Sequence, residues 1–510
     1  MEFARSTFAV AVALFISIVV RSLKKTDKLS PPPGPKPVPV LGSLFALNRL
    51  HPWLTYTDWR AKYGDIIHVR IFNRDVIVLN SVKAARALLD QRSHNYSDRP
   101  RFLTLDLFGV AFRTVMLPYG NTWRLHRRLY HQAFRAEVAV RYRPMQVRRA
   151  RQLLLDLQHK PDDYVEHLHW HSASIIMSAV YDYESKPSDP LVAAVTRTIE
   201  MISKVEAPSK AAMIEAYPLL TLLPEWFPGA SFQRQGKFCR ELIADVVEKP
   251  YEFVQKSIAA GTAAPSMVFD ALKKLSQDGT GQLEKAIKES SATAFGAATE
   301  TTFSTLVVFI LAMVLNPAVQ QNAQAELDSV VGAGRLPDFD DRTSLPYVEA
   351  VLRETLRWHP VVPLGIAHAA LRDDIYEGYL IPKGATIIAN VWGMSQDSTK
   401  YPNPSEFRPE RFLLPDGSLT DDTMSFGFGW GRRICHGRHI ADASLWSAIA
   451  SMLSVFSFLK AQDAIGKDIE FEPQWTPGTA SRPVKFPCRI VPRRAGMDAE
   501  KMAQLISVSG

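Results

Sequence analysis

Phe426 to Gly437 reads F-G-F-G-W-G-R-R-I-C-H-G, in which one cysteine, Cys435, follows three glycines. A dinucleotide-binding turn needs G-x-G-x-x-G opening a helix. Here the sixth residue counted from Gly427 is Arg432, and no strand–glycine–helix unit surrounds it. A zinc site needs several close ligands, and Cys435 with His436 and His439 is too thin a set. A single thiolate ligand fits. The glycines let the backbone approach the sulfur and donate N–H groups to it. The apolar helix expected from Ala441 to Leu453 aims its positive end at the anion, which lowers the thiol pKa. As sole protein ligand of a haem iron, such a sulfur pushes electron density toward O–O cleavage. Arg433, two residues earlier, is placed to pair with a carboxylate of that cofactor. The plain alternative, a buried structural cysteine, explains neither the glycines nor Arg433.

Three patterns farther out gain meaning beside that loop. Gly296 to Thr302 reads G-A-A-T-E-T-T within an apolar helix. A carboxylate there is costly unless paired or functional, and Glu300 beside Thr301 offers an acid–alcohol pair able to relay protons into an enclosed site. Taken alone, the pattern reads better as a threonine bonding back to its own helix with Glu300 in solvent. Trp123 and Arg127, at i and i+4, share a helical face, and an indole N–H with a guanidinium suits a haem propionate. The alternative is an exposed cation–π pair. Glu354 and Arg357 can pair at i and i+3. That spacing is common on helices, and it gains weight from Arg411 in F-R-P-E-R-F (Phe407 to Phe412), which can join them in a buried network.

Around these motifs the chain reads as mainly α with small β-sheets. The longest helix is expected from about Lys285 to Leu315, ending before Asn316-Pro317. Lys83 to Arg92 and Ala350 to Trp358 are amphipathic at helical spacing. Strand-like runs are short: Ile66 to Ile71, Val76 to Leu79, and Ala385 to Val391 after the turn Pro382-Lys383-Gly384.

Ser6 to Val20 carries no charge. Fifteen helical residues span about 22 Å against a hydrocarbon core of about 30 Å, and counting from Phe3 gives eighteen, with Arg5 near enough to the end to snorkel. Arg21, Lys24, Lys25 and Lys28 follow at once, without a small-x-small cleavage site. Residues 1–21 are therefore expected to be a single-pass membrane anchor rather than a signal peptide, with the rest of the chain cytosolic. Pro31 to Pro39 holds six prolines in nine residues and is stiff and extended. Residues 22–39 read as a basic flank and hinge, and 40–510 as one catalytic domain. Leu306 to Leu315, ten residues long, reads as a core helix. Across 510 residues, 46% are hydrophobic and 22% charged, which excludes a disordered, collagenous or polytopic membrane chain. Three cysteines make no disulfide framework and suit a reducing compartment.

Taken together, these motifs resemble the cytochrome P450 family of haem-thiolate monooxygenases, in order and spacing over essentially the whole chain. Phe428 to Gly437 matches the family's F-x-x-G-x-R-x-C-x-G. The resemblance implies the cytochrome P450 fold, with haem b buried between the Glu300/Thr301 helix and the Cys435 loop. It implies Cys435 as the axial iron ligand and metal-binding residue. Trp123, Arg127, Arg433 and His368 (in G-I-A-H-A-A) become the propionate partners, Glu300 and Thr301 the oxygen-activating pair, and Glu354, Arg357 and Arg411 a structural triad. Ala298 stands where the family usually has glycine, a change that bears on rate and coupling more than on reaction type. By the same resemblance, NADPH–cytochrome reductase supplies electrons and one atom of dioxygen enters a C–H bond. The substrate is expected to be a small lipophilic molecule walled by Phe102 to Phe112, Thr293, Ala297, and Val361 to Ala367. The anchor and hinge look like those of microsomal members in the endoplasmic reticulum membrane. Gly437 to Trp446 is similar to fungal members that tailor secondary metabolites. Two other readings stay open: a haem-thiolate isomerase or dehydratase, which has no need of Glu300 and Thr301, and a haem-free, membrane-anchored helical interaction protein.

Lys and Arg number 60 against 52 Asp and Glu, a formal charge of +8. Between Arg124 and Arg151 lie nine arginines (124, 127, 128, 135, 141, 143, 148, 149, 151), one acid, Glu137, and no lysine, so the whole excess sits there. Nucleic acid is not the expected partner, because base-stacking aromatics and base-reading elements are lacking. In the family this region borders the thiolate side of the haem. The resemblance therefore implies that the reductase's acidic flavin domain docks near Arg124 to Arg151. The alternative is a solvated basic helix. The sequon Asn95-Tyr96-Ser97 is expected to be unmodified in a cytosolic domain.

Overall fold

The structure, a computed structural model, describes residues 29–186, 188–205, 214–215, 217–278 and 281–509. The expected anchor (1–21) and the flank up to residue 28 lie outside the described residues. Helices of ten or more residues dominate: α1 (Pro52–Tyr63), α2 (Asn121–Phe134), α3 (Arg143–His159), α4 (Tyr164–Tyr181), α5 (Pro190–Val205), α6 (Ser231–Ala259), α7 (Met267–Asp278), α8 (Gly281–Leu315), α9 (Pro317–Val330), α10 (Pro346–Trp358), α11 (Arg438–Val455) and α12 (Ala499–Val508). The strands are short: β1 (Ile66–Ile71), β2 (Arg74–Leu79), β3 (His368–Ala369), β4 (Asp374–Tyr376), β5 (Tyr379–Ile381), β6 (Thr386–Ala389), β7 (Phe456–Lys460) and β8 (Cys488–Pro492).

Local sequence explains several boundaries. α1, α3, α9 and α10 carry proline at their first or second position, where a missing N–H costs nothing. α8 is 35 residues long, and every side chain from Leu306 to Val314 is buried. A run that is apolar on all faces belongs in the core rather than on a surface. Among the described residues α8 is the one helix apolar enough to cross a membrane, yet 78% of its apolar window is packed inside the protein. It stops at Leu315 because Pro317 can open α9 but cannot continue α8. Leu154 of α3, Phe309 and Ile310 of α8, Val351 of α10, and Trp446 and Met452 of α11 meet in one core around it.

The main sheet has the order β1-β2-β6-β3. β1 and β2 form an antiparallel hairpin, β6 joins β2 in parallel with Val78 opposite Ile388, and β3 closes the edge antiparallel to β6 with His368 opposite Ile387. The expected turn at Pro382 to Gly384 is present, with Ala385 donating to Pro382 O and Gly384 at φ +80°. Lys83 to Arg92 is not one amphipathic α-helix. Val82–Ala85 is α-helical and Arg86–Gln91 widens into a π turn, whose Leu89 carbonyl lies against the Cys435 loop.

Glu354 of α10 sits with no side-chain exposure under two arginines. Arg357 Nε and Nη2 donate to its two oxygens at 2.7 and 2.8 Å, and Arg411 Nε donates at 3.1 Å. Arg357 also donates to the carbonyls of Ser395, Pro404 and Glu406, so its buried charge is paired and its donors are used. This network ties α10 to the segment that leads into the cysteine loop. Asn95 of the sequon is buried and spends both ends of its amide on the Arg372 backbone.

Candidate active site

The cysteine loop is two 3₁₀ turns, Ser425–Phe428 and Gly431–Arg433, joined through left-handed glycines Gly429 (φ +87°) and Gly431 (φ +49°). Gly431 is required twice over: a Cβ there would lie 2.3 Å from Leu89 O and 3.1 Å from Ser93 Cβ. The loop returns on itself through Cys435 N–H donating to Phe428 O at 2.8 Å. The backbone N–H groups of Gly437 and Arg438, at the start of α11, donate to the Cys435 sulfur. Cys435 keeps accessible surface as a residue. The expectation of a lowered thiol pKa is corrected. Burial pushes the Cys435 thiol up, and this outweighs the pull of those N–H groups and of the Arg438 and Arg127 charges.

A cationic cradle adjoins the loop. Trp123 and Arg127 lie on the inward face of α2, and Arg127 Nη1 donates to Ile434 O at 2.8 Å. The guanidinium carbons of Arg127 and Arg433 lie 5.4 and 4.5 Å from the Trp123 ring centre. Arg433 is anchored by Ser97 O and Leu117 O, both at 2.8 Å. Burial pushes Arg127 and Arg433 down to about 10. His368 of β3 donates Nδ1–H to Tyr96 O at 2.7 Å and is held well below the ordinary range, first by burial and then by Arg99 and Arg433. Sequence reasoning missed Arg99. This buried side chain is fixed by the carbonyls of Val115, Ile366 and Ala367. Among the described residues none of Arg99, Arg127 and Arg433 has a salt bridge, although burying charge without a counter-charge is costly.

On α8 the acid and the alcohol take separate partners. Thr301 Oγ1 donates to Ala297 O at 3.0 Å, while the Glu300 carboxylate accepts from Arg482 Nη1 at 3.0 Å. Burial raises the Glu300 pKa, with the Arg482 charge and the Ser304 hydroxyl pulling against it. The helix runs unbroken through Ala298. Thr293 spends its hydroxyl on Glu289 O and on Thr114 N–H, which pins the 101–120 segment to α8. Arg482 was also missed. It and Arg99 both precede a proline, which holds the residue before it extended. That is the one local signal the two share.

The profile of the family described as Cytochrome P450 matches residues 32–486. The chain belongs to the cytochrome P450 family. It is 38% identical over 499 residues to Cytochrome P450 monooxygenase ple1 of Rhodocybe pseudopiperita, covering 96% of this chain and 95% of that one. It is 36% identical to Cytochrome P450 monooxygenase claR of Ampulloclitocybe clavipes (93% and 88% covered) and 35% identical to Tryptamine 4-monooxygenase of Psilocybe cyanescens (94% and 98% covered). This cytochrome P450 is a monooxygenase with the family's mainly helical fold, and haem is the family's cofactor. Its residues fit that group. One cysteine offers a sulfur with two N–H donors already on it. Three guanidiniums without counter-ions suit a cofactor that carries two carboxylates. No cluster of three or more His, Cys, Asp or Glu able to hold a metal occurs among the described residues.

Of the nine arginines in the basic stretch, five are exposed: Arg124, Arg128, Arg135, Arg141 and Arg148. Arg127 turns into the cradle, Arg151 is buried on Ser509 O, and Arg149 reaches Ser178 Oγ. The surface is smaller than the sequence count implies. Arg432 of the cysteine loop lies beside it, over the Tyr119 ring that Arg124 also covers.

Proposed function

We propose that this cytochrome P450 hydroxylates a small lipophilic substrate in fungal secondary metabolism, using haem b and electrons from NADPH through a reductase. The observation that carries the reading is the junction of the Cys435 sulfur with the uncompensated cations of Trp123's neighbours, Arg127 and Arg433. Bound there, haem supplies dioxygen activation and transfer of one oxygen atom. Cys435 would ligate the iron, with Gly437 and Arg438 N–H groups fixing the sulfur. Arg127, Arg433 and Trp123 would hold the propionates. His368, whose Nδ1–H is spent on Tyr96, would join them once a carboxylate stabilises its second proton. Glu300 and Thr301 would hold and pass protons toward the iron side of α8. The apolar walls at 102–112, Ala297 and 361–367 would exclude water and select a neutral substrate. Names of relatives such as Tryptamine 4-monooxygenase support a secondary-metabolic role. Residues 1–21 would anchor the chain in the endoplasmic reticulum membrane, 22–39 would link it, and 40–510 would form the catalytic domain. Exposed Leu219, Leu222 and Trp226 (76–78%) support contact with a membrane surface.

The test uses the full-length protein. The reduced wild type with carbon monoxide gives the thiolate-type spectrum, and Cys435→Ser removes it. Turnover under oxygen-18 gas then labels the product. A labelled product bears out the monooxygenase reading, whereas unlabelled product points to an isomerase or dehydratase. An unshifted wild-type spectrum sinks the haem-thiolate assignment.

A further inference from the structure

Arg482 belongs to none of the motifs read from the sequence, yet it holds the acid of the relay pair. It sits in a short strap, residues 474–484, closed by Val484 N–H to Gln474 O, Thr476 N–H to Arg482 O and an antiparallel bridge of Trp475 with Pro483. Three contacts fix the strap to the body. Trp475 stacks face to face on His359, ring centres 3.4 Å apart and planes within 4°. Ser481 N–H donates to Val361 O at 2.8 Å. Arg482 then reaches α8, where it lies over the Phe303 ring (4.9 Å) and donates to Glu300. Consecutive residues therefore touch Val361, the start of the proposed substrate wall, and Glu300, the proposed proton carrier.

The geometry points to Arg482 as a positioning residue that sets the charge of Glu300 and links it to the wall at Val361. Arg482 draws the carboxylate toward the strap and works against the burial that favours its protonated form, while Thr301 keeps its hydroxyl on Ala297 O. A substrate pressing on Val361 moves Ser481 and, one residue on, the guanidinium. Loosening that pair favours the protonated acid, which is the form able to give a proton away. The groups facing Glu300 are few. Arg482 comes from the strap, Ser304 from α8 itself and Glu200 from α5, whose negative charge opposes ionisation. His169 of α4 faces Arg482 and is pushed down to about 4 by burial and that charge, so it stays neutral at working pH. Near neutral pH Arg482 is then, among the described residues, the one cation facing this acid, with the Ser304 hydroxyl pulling the same way.

The inference rests on the relay reading but is tested apart from it. Infrared difference spectra of the holoenzyme follow the protonated carboxyl band of Glu300, identified by its loss in Glu300→Gln. Arg482→Leu is expected to move that titration up by about one unit or more, since a close opposite charge lowers a carboxylate pKa by about 1–3 units. Arg482→Lys should restore most of the shift. The lipophilic probe 1-phenylimidazole should move the titration in the wild type and not in Arg482→Leu. An unmoved band in Arg482→Leu would overturn the assignment of Arg482. A wild-type titration indifferent to the probe would overturn the link to the wall. Peroxide release during turnover reads the relay separately: a Glu300→Gln enzyme as tightly coupled as wild type would refute the relay, while the infrared shift would still carry the Arg482 assignment.

Discussion

Gly431 shows how one missing Cβ can hold the cysteine loop in place. At φ +49°, with Leu89 O and Ser93 Cβ in the way, alanine there brings about 1–3 kcal/mol of backbone strain before any overlap is counted. Gly431→Ala should therefore lower haem occupancy as well as stability. The ratio of the carbon monoxide difference signal to protein concentration should fall several-fold, alongside a drop in melting temperature. Arg357 is the second pivot. Arg357→Met leaves the Glu354 carboxylate buried with only Arg411 and the Arg408 N–H as partners, and breaking a buried pair costs about 3–5 kcal/mol. Chemical denaturation should show that loss, and a variant unfolding at the wild-type midpoint would contradict it. At this scale the sequence was most legible. Cys435, Arg433, Trp123, Arg127 and the Glu354–Arg357–Arg411 set all announced themselves by residue type and spacing. Arg99 and Arg482 did not, because Ile366 and Ala367 for the one and Glu300 for the other lie more than a hundred residues away, and nothing in the neighbouring sequence encodes those contacts.

Elements were legible where one physical signal dominated. The apolar run of α8 and the proline after it set its core position and its end. The runs at Ile66 to Ile71 and Val76 to Leu79 were legible as strands, and the structure adds their pairing into the hairpin β1–β2. β7 was not expected because Phe456 continues from Val455 of α11 with no turn residue between helix and strand. The π turn at Arg86–Gln91 packs against the cysteine loop, a tertiary contact invisible to periodicity. Buried histidines within and just after helices give the fold an acid limit. Burial pushes His171 of α4 down to about 4 and His359, just past α10, down to about 3. Between an ordinary value near 6.5 and those values the unfolded chain binds protons that the folded chain refuses. Stability is thus complete above about pH 6.5 and falls as pH drops, by up to about 1.4 kcal/mol per unit for each histidine. Thermal melts between pH 7.5 and 5 should show the decline, and His171→Leu should flatten its slope by about one proton.

For the whole molecule, the docking proposal rests on where the exposed arginines lie. Arg141 is tied to Asp270 at 2.9 Å, so reversing it disturbs packing as well as charge. Arg128 and Arg135 are exposed and cleaner probes. Arg128→Glu with Arg135→Glu should slow reduction by the flavoprotein about tenfold at low salt, converging on wild type as salt screens the surface. Stopped-flow reduction at two ionic strengths measures it, and equal rates at low salt would remove the docking proposal. The +8 of the full sequence announced such a surface, but only coordinates separate the five exposed arginines from those spent inside. The strap that carries Arg482 has an optical side as well. An indole clamped flat on a neutral imidazole sits in a fixed, asymmetric environment, so Trp475 should give a strong near-ultraviolet circular dichroism band. Subtracting the spectrum of Trp475→Phe would isolate that band from those of the other nine tryptophans. The protein thereby carries a native chromophore through which movement of the strap can be watched without any added label.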